Sequence, residues 1–391
     1  MAFWGDNKEV KKVRIAMICT EKLPVPPIRG GAVQQYIDAV VPYIKKKHDV
    51  TVFCVEDTDL LKREDKDNIR YIRVAGKQMP DYISNVINNL SDHYDLIHIF
   101  NRPRWVNMIG EKLPKTMISL SLHNEMFQPS KISKEEGEKC IKRVKFITTV
   151  SKFVETGIKK LYPQASPKLH TVYSGVDTHK YQPVWSAEAS RIRNQLREKY
   201  GLLGKKVILF VGRLSPKKGA HILIKAIDKV LPSHPETALV IVGSKWYSEN
   251  EEDSYVRQIM QMAEGLDTKV VMTGFLPPKD VISHYYLGDI FVCASQWREP
   301  LARVHYEAMA AGLPIISTDK GGNAEVIRGN GNGIILSDYN QPQAFADAII
   351  LLSDQQDIAL EMGKTGRKLA EEKYTWERVA AELIELFEAR K

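Results

Sequence analysis

The sequence of 391 residues has no long hydrophobic run. Its longest apolar stretches, such as 207–211 and 313–316, reach about five residues, whereas a membrane-spanning helix needs roughly 20. The basic residues 1–14 lead only into a short apolar run at 15–19, not into the apolar segment of a secretory signal. These absences predict a cytoplasmic protein without a membrane span. Peripheral contact with a membrane stays open.

Cysteine is also scarce, and its spacing excludes two kinds of cross-linked fold. The four cysteines are scattered without a CxxC pair, at Cys19, Cys54, Cys140 and Cys293. A disulfide framework and a cysteine-rich zinc site both need closer or more regular spacing. We therefore expect reduced and mostly buried thiols.

The excess of positive over negative charge lies entirely in the first half of the chain. Residues 1–180 hold 30 Lys and Arg against 21 Asp and Glu, whereas residues 181–391 hold 26 against 27. Basic clusters at 45–47 and 139–145 could attract an anionic polymer or a membrane surface, or could simply be a solvated face. They lack interleaved aromatic residues and match no nucleic-acid motif, so no nucleic-acid partner is predicted.

An alternating pattern runs through both halves of the chain, whose length fits two domains. Short β-branched apolar runs alternate with longer amphipathic stretches, which is typical of a parallel sheet wrapped by helices. The predicted strands lie at 13–19, 50–55, 69–74, 95–100, 116–122, 146–150, 206–211, 238–242, 269–273, 289–294 and 314–318. The pattern predicts an α/β protein with two doubly wound, Rossmann-like domains and a cleft between them.

A polar segment around 178–190 marks the predicted junction between these domains. We place the first domain at 1–185 and the second at 186–372. Residues 373–391 form a predicted closing helix that packs back on the first domain, because its apolar residues recur at helical spacing. These residues are Val379, Ala380, Leu383, Ile384, Leu386 and Phe387.

Glycines follow the first predicted strand of each domain. Gly30 and Gly31 precede a helical run, where small residues let backbone approach an anionic ligand. The segment lacks the third glycine of the dinucleotide fingerprint and the GK[ST] ending of a P-loop. In the second domain, Gly212 is followed by Arg213 and Lys218, between which a diphosphate would fit unless both are ordinary surface cations.

Two glutamates stand eight positions apart in the segment 293–317. Glu299 lies on a predicted loop, and Glu307 lies within a helix predicted at about 303–311. One carboxylate can accept hydrogen bonds from a hexose while the other reaches a ribose diol. Acidic helix residues are often merely solvated, but 308–311 are apolar, which favours a buried and functional Glu307.

Three segments of the second half carry longer motifs, GRLSPKKG at 212–219, EPLARVHYEAMAAGLPII at 299–316 and KGGNAEVI at 320–327. In this order along the chain, the motifs resemble those of the retaining glycosyltransferases of family 4, which have the GT-B fold. Further matches are Gly30-Gly31, His123 in LSLHNE, Val150-Ser151 and SGVD at 174–177. Together these motifs cover nearly the whole chain.

The resemblance implies a role for each matching residue. Arg213 and Lys218 would hold the donor diphosphate, Glu307 the ribose, and Glu299 the hexose hydroxyls. His123 would lie beside the donor sugar and, with Glu299, Arg213 and Lys218, would be catalytic, although a lone histidine after a strand is more often structural. His98 is expected either to pack in the core or to line the cleft. Backbone at the donor would come from Gly30, Gly31, Gly212, Leu301, Ala302, Arg303 and Val304. Further candidates near the donor are Ser151, Asn323 and Glu325.

The sequence departs from the family pattern at two positions. Ser174 stands where the family usually has Asn, and Ala302 stands where it usually has Gly in the phosphate loop. The added methyl group of Ala302 bears on backbone geometry more than on function. The stretch Asp57-Thr58-Asp59 has the DxD form of a metal motif, but it lies in a highly charged run, so no metal is predicted.

The resemblance implies a metal-independent, retaining transferase without a cofactor, which moves a hexosyl unit from a UDP- or GDP-linked sugar. The same motifs are similar to those of enzymes that synthesise spore coats and surface polysaccharides. The resemblance therefore implies a carbohydrate or anionic acceptor of the cell envelope or spore coat, and incorporation of the protein into a spore coat stays open. Two alternatives stay open. One is a catalytically silent coat or scaffold protein of the same fold, and the other is a sugar-nucleotide epimerase.

Overall fold

A computed structural model describes residues 12–76, 78–244 and 253–389. Most of the basic leading segment 1–14 and the last two residues of the predicted closing segment therefore lie outside the described residues. Within the described ranges, no helix combines the length and the hydrophobicity needed to cross a membrane. All four cysteines are free and buried, as the sequence predicts.

The first lobe is built on an eight-stranded sheet with the order β3-β4-β2-β1-β5-β6-β7-β8. Every neighbouring pair is parallel except β3 and β4, which run antiparallel. The strands are β1 (Arg14–Ile18), β2 (Asp49–Val55), β3 (Arg63–Lys66), β4 (Ile69–Val74), β5 (Leu96–Phe100), β6 (Met117–Leu122), β7 (Ile147–Thr149) and β8 (Leu169–Thr171). Apolar side chains cover both faces of the sheet, as a parallel sheet wrapped by helices requires.

The second lobe has a six-stranded, fully parallel sheet with the order β11-β10-β9-β12-β13-β14. Its strands are β9 (Lys206–Val211), β10 (Thr237–Val242), β11 (Val270–Met272), β12 (Ile290–Cys293), β13 (Ile315–Thr318) and β14 (Gly333–Leu336). The strand order reverses direction beside β9 and β12, which is the position where doubly wound sheets bind ligands. The predicted junction at 185/186 falls in the stretch between β8 and β9.

Thirteen α-helices in the described ranges pack on the sheets and on each other. They are α1 (Ala32–Ile44), α2 (Met79–Asn89), α3 (Pro103–Lys112), α4 (Lys134–Arg143), α5 (Lys152–Leu161), α6 (Ala187–Tyr200), α7 (Ala220–Val230), α8 (Ser254–Glu264), α9 (Pro278–Tyr285), α10 (Val304–Ala310), α11 (Pro342–Asp354), α12 (Gln356–Lys373) and α13 (Trp376–Glu388). Ser151 caps the N-terminus of α5 and Thr375 caps that of α13, because each side-chain oxygen accepts a backbone N–H of the first turn.

The last helix, α13, packs against α1 of the first lobe. The chain returns to that lobe beside the interlobe connection, where the Val176 amide donates to the Tyr374 carbonyl over 2.8 Å. The helix buries one face, made of Trp376, Val379, Ala380, Leu383, Ile384 and Phe387. Leu386 is only partly buried at the edge of this face.

Three strands have no counterpart among the predicted ones. The edge strand β3 reads REDK and is mostly exposed, so it carries no apolar signal. Strand β8 has three residues, and β14 begins at a glycine. Short edge strands form by pairing with a neighbour, and that pairing leaves little trace in the local sequence.

Candidate active site

A cleft of about 1410 Å³ lies between the lobes, at the carboxyl ends of their strands. Four strand ends supply the residues singled out from the sequence: β1 leads to Gly31, β6 to His123, β9 to Gly212 and β12 to Glu299. The predicted residues that line the cleft are Gly30, Gly31, His123, Gly212, Arg213, Lys218, Glu299, Leu301, Ala302, Arg303, Val304 and Glu307. The fold thus brings together residues from two lobes in one cavity.

Gly31 makes the turn from β1 into α1 and can carry no side chain there. Its φ is +100°, and a Cβ atom at this position would lie 2.2 Å from Gln34 Oε1. Gln34 is held in place because its amide donates to Thr20 Oγ1 and to the Leu23 carbonyl, both over 3.2 Å. The bare backbone at Gly31 therefore forms a close wall for a ligand.

Glu299 is buried, and three donors converge on one of its oxygens. Oε2 accepts from Lys218 Nζ at 2.6 Å and from Trp297 Nε1 at 2.6 Å. It also accepts from Ser295 Oγ at 3.0 Å. Burial raises the pKa of Glu299, but the charge of Lys218 and these hydrogen bonds outweigh it, so the net pKa is lowered. The carboxylate is therefore ionised and held by Oε2, which leaves Oε1 for a ligand.

Glu307 lies in the first turn of α10 and is held by a buried tyrosine. Oε2 accepts a hydrogen bond from the Tyr285 hydroxyl over 2.7 Å, and Oε1 lies 3.5 Å from Arg303 Nη2. Burial, followed by the charge of Glu307, raises the pKa of Tyr285 well above its ordinary value, so the hydroxyl stays a donor. The Glu307 carboxylate is thereby oriented at the edge of the cleft.

His123 follows β6 and faces the cleft from the first lobe. Its Nε2 lies 3.2 Å from Ser121 Oγ, and its ring packs edge-on against Tyr36 with 4.7 Å between centroids. Burial, and then the charge of Arg303, lower the pKa of His123 to about 3. The imidazole is therefore neutral at physiological pH and can donate or accept a hydrogen bond without carrying charge. His98, in contrast, is buried in the core and bonds to Ser119, as the sequence predicts.

One backbone donor predicted for the phosphates is already engaged. The Ala302 amide donates to Asn323 Oδ1 over 3.1 Å, so it is satisfied within the protein. A diphosphate would have to compete with the Asn323 side chain for this amide, so the predicted contact between Ala302 and the diphosphate stays a prediction. The amides of Leu301, Arg303 and Val304 remain candidates.

The three further candidates, Ser151, Asn323 and Glu325, do not line the cleft. Glu325 instead joins the two lobes. Its Oε1 accepts the Phe153 amide at 2.7 Å, and its Oε2 accepts both the Lys152 amide and the Tyr173 hydroxyl at 2.8 Å. These amides are first-turn donors of α5, which Ser151 caps from its own side. In this structure Glu325 makes an interlobe contact, and its predicted place near the donor stays a prediction.

Several residues of the site were not singled out by sequence reasoning. Trp297, Trp376 and the side chain of Arg303, which was considered only for its amide, line the cleft. Ser295 and Tyr285 are buried and donate to Glu299 and Glu307. Trp297 and Ser295 stand close to Glu299 in sequence, so their proximity was a usable signal. Trp376 and Tyr285 come from distant segments, and no local pattern could assign them to the site.

No group of three or more His, Cys, Asp or Glu side chains in the described ranges could hold a metal ion. The DxD-like carboxylates meet a guanidinium instead. Arg29 Nη2 lies 3.0 Å from Asp57 Oδ1 and 2.5 Å from Asp59 Oδ2.

Comparison with known families covers most of the chain. Residues 29–180 match Glycosyltransferase Family 4, and residues 192–369 match Glycosyl transferases group 1. Spore coat protein SA of Bacillus subtilis (strain 168) is 44% identical over 376 residues, which cover 96% of this chain and 99% of that protein. The putative glycosyltransferase YtcC of the same organism is 42% identical over 377 residues, covering 96% of this chain and 92% of that protein.

The solved structures extend this similarity to the fold. The crystal structure of Anabaena Alr3699/HepE in complex with UDP and glucose matches with a TM-score of 0.78 at 19% identity, covering 97% of this chain and 100% of that chain. Sucrose-phosphate synthase from Thermosynechococcus elongatus matches with a TM-score of 0.79 at 18% identity, covering 96% and 98%. The chain therefore belongs to the glycosyltransferases of the GT-B fold, with a family 4 domain followed by a group 1 domain.

Proposed function

We propose that this glycosyltransferase is a retaining hexosyltransferase that takes its hexose from a UDP- or GDP-linked sugar. The observation that carries the proposal is the pair of anchored carboxylates, Glu299 and Glu307, in one cleft with Arg213 and Lys218. The HepE structure was solved with UDP and glucose, which supports a nucleotide-sugar donor.

In the proposed complex the donor lies along the second lobe. The Oε1 atom of Glu299 accepts a hexose hydroxyl while Lys218, Trp297 and Ser295 hold Oε2. Glu307 accepts from the ribose diol. The diphosphate between the two sugars meets Arg213, Lys218 and the loop after Glu299, with the bare backbone of Gly31 opposite.

The transfer breaks the bond between the anomeric carbon and the diphosphate oxygen, whose electron pair leaves with the diphosphate. The acceptor hydroxyl attacks the same face, and its proton passes to the departing phosphate oxygen. Arg213 and Lys218 stabilise the charge that develops on the leaving group, so the proposed mechanism uses neither a metal nor a cofactor. Neutral His123 accepts or donates a hydrogen bond beside the sugar without adding charge.

The acceptor is proposed to be an anionic carbohydrate of the cell envelope or spore coat. The excess of positive charge in residues 1–180 and the name of the 44% identical relative support this proposal. Added salt should weaken acceptor binding more than donor binding, because screening acts on exposed charges. Equal salt dependence of the two would contradict an anionic acceptor.

A thermal-shift panel of UDP, GDP and ADP with their hexose conjugates tests the donor assignment. A ligand that binds only the native state raises its unfolding temperature by mass action, so one base should stand out. Product analysis with the selected donor then separates the reactions. A transferase needs an acceptor, an epimerase converts the donor alone, and a scaffold protein does neither. Absence of binding across the whole panel would overturn the proposal.

The pH dependence of transfer should respond to the donors around Glu299. Trp297→Phe removes one hydrogen bond that lowers the pKa of Glu299, so the carboxylate of the variant protonates at a higher pH. We expect the acid limb of kcat/KM to move to higher pH and the plateau to fall about fivefold. The control is Trp185→Phe, a change at an exposed tryptophan outside the cleft. An unchanged acid limb in Trp297→Phe would contradict the role given to Glu299.

A further inference from the structure

The side chain of Arg303 lies in the cleft with an unmet hydrogen-bonding group. Its guanidinium stacks over the Trp376 ring at 5.4 Å from the centroid. Nη2 lies 3.5 Å from Glu307 Oε1, at the limit of a hydrogen bond. Nη1 is buried and has no acceptor among the described residues. A charged donor buried in this way destabilises the protein until something accepts from it.

The charge of the neighbouring cation Lys218 is better neutralised within the protein than the charge of Arg303. Its Nζ is 2.6 Å from the buried carboxylate of Glu299. A second cation that faces the cleft, Arg213, also has an interaction within the protein. Among the described residues, the one carboxylate contact of Arg303 is the long one to Glu307, so Arg303 retains more capacity for a new anion than the buried Lys218–Glu299 pair.

This guanidinium lines the cleft beside residues that belong to the first lobe or pack on it. Its charge acts on His123 of the first lobe, and the Tyr36 ring packs against both His123 and Trp376, at 4.7 and 5.6 Å between centroids. Its Nη2 also lies 3.5 Å from Glu307, the carboxylate proposed for the ribose. Arg303 therefore stands between the proposed hexose side and the proposed ribose side, and the group that joins hexose to ribose in a nucleotide sugar is the diphosphate.

We propose that the guanidinium of Arg303 is a third cation for the donor diphosphate, held in position by the Trp376 ring. This assignment rests on the proposed function. It gives the closing helix a direct part in the donor site, because Trp376 is the first residue of α13. A planar guanidinium can donate from Nη1 to a phosphate oxygen while its face stays on the indole.

Calorimetry with a nucleoside diphosphate and the matching monophosphate tests the assignment, using the base selected by the thermal-shift panel. Arg303→Met keeps length and packing but removes the charge and all donors. We expect its affinity for the diphosphate to fall about 30-fold and its affinity for the monophosphate to fall less than about threefold, because charged hydrogen bonds are among the stronger ones. Arg303→Lys keeps the charge but loses the planar fork of donors. Its affinity for the diphosphate should therefore lie between those of the wild type and Arg303→Met.

Arg298→Met is the matched control, because Arg298 is an exposed arginine of the same loop that pairs with Glu125. It should bind the diphosphate like the wild type. Thermal unfolding of each variant shows that it is folded. Equal diphosphate affinity in wild type and Arg303→Met, or equal losses for both nucleotides, would overturn the assignment. A wild type that binds no nucleotide would instead contradict the proposed function itself.

Discussion

Transfer should fall by at least about a hundredfold when Glu299 is replaced by glutamine. An amide can still accept through its one oxygen from Lys218, Trp297 and Ser295, but it no longer offsets the Lys218 charge. Its NH₂ group would then face the hexose as a donor where the carboxylate oxygen accepts. Losing one charged contact at the reacting sugar typically costs two to three orders of magnitude in rate.

The measurement is the steady-state rate of nucleoside diphosphate release in the presence of acceptor. Nucleoside diphosphate affinity should not fall by more than about threefold, because Glu299 is assigned to the hexose and its neutralisation leaves the Lys218 charge to the diphosphate. Glu361→Gln changes an exposed carboxylate of α12 and serves as the control. A loss of less than tenfold in Glu299→Gln, or a parallel loss of nucleotide affinity, would refute the assignment.

The second large effect concerns stability. Leu383→Ala should lower the free energy of unfolding by about 3 kcal/mol, because this fully buried leucine of α13 packs in the first lobe's core and its removal leaves a cavity. The unfolding midpoint should drop by roughly 6 to 12 °C. Because α13 also carries Trp376, donor affinity should weaken in the same variant.

Leu386→Ala is the matched comparison for this experiment. It removes the same group from the same helix, but Leu386 is only partly buried, so we expect a loss below about 1 kcal/mol. Differential scanning calorimetry of both variants gives the comparison. Similar midpoints for Leu383→Ala and Leu386→Ala would mean that α13 does not dock on the first lobe through its Leu383 face.

The site residues at strand ends could be predicted from the sequence because each belongs to a short continuous motif. Apolar strand, glycine and charged loop follow each other within about ten residues at Gly212 to Lys218. Glu299 and Glu307 are likewise close in the chain. In a doubly wound sheet, such loops meet at one edge, so the gathering of these residues follows from the fold class.

The hydrogen-bond partners of these residues could not be predicted from the sequence in the same way. The sequence motif around Asn323 and Glu325 predicts closeness to the donor, but it does not indicate that Asn323 accepts from the Ala302 amide or that Glu325 accepts from the first turn of α5. Both are contacts between segments separated by 21 to 173 residues. A motif reports that certain residue types occur together, but it does not report which of them accept from the protein and which are left for the ligand.

The amino-acid sequence by itself determined the α/β class, the two lobes, the amphipathic closing helix and the family, because strand periodicity and short motifs are local properties of the chain. Only the tertiary structure decided that Lys218 holds Glu299, that Tyr285 holds Glu307, and that Trp376 supports Arg303. Each of these contacts joins residues from 22 to 81 positions apart. Such pairings depend on how the lobes and α13 pack in space, and that packing brings together side chains whose local sequences carry no information about each other.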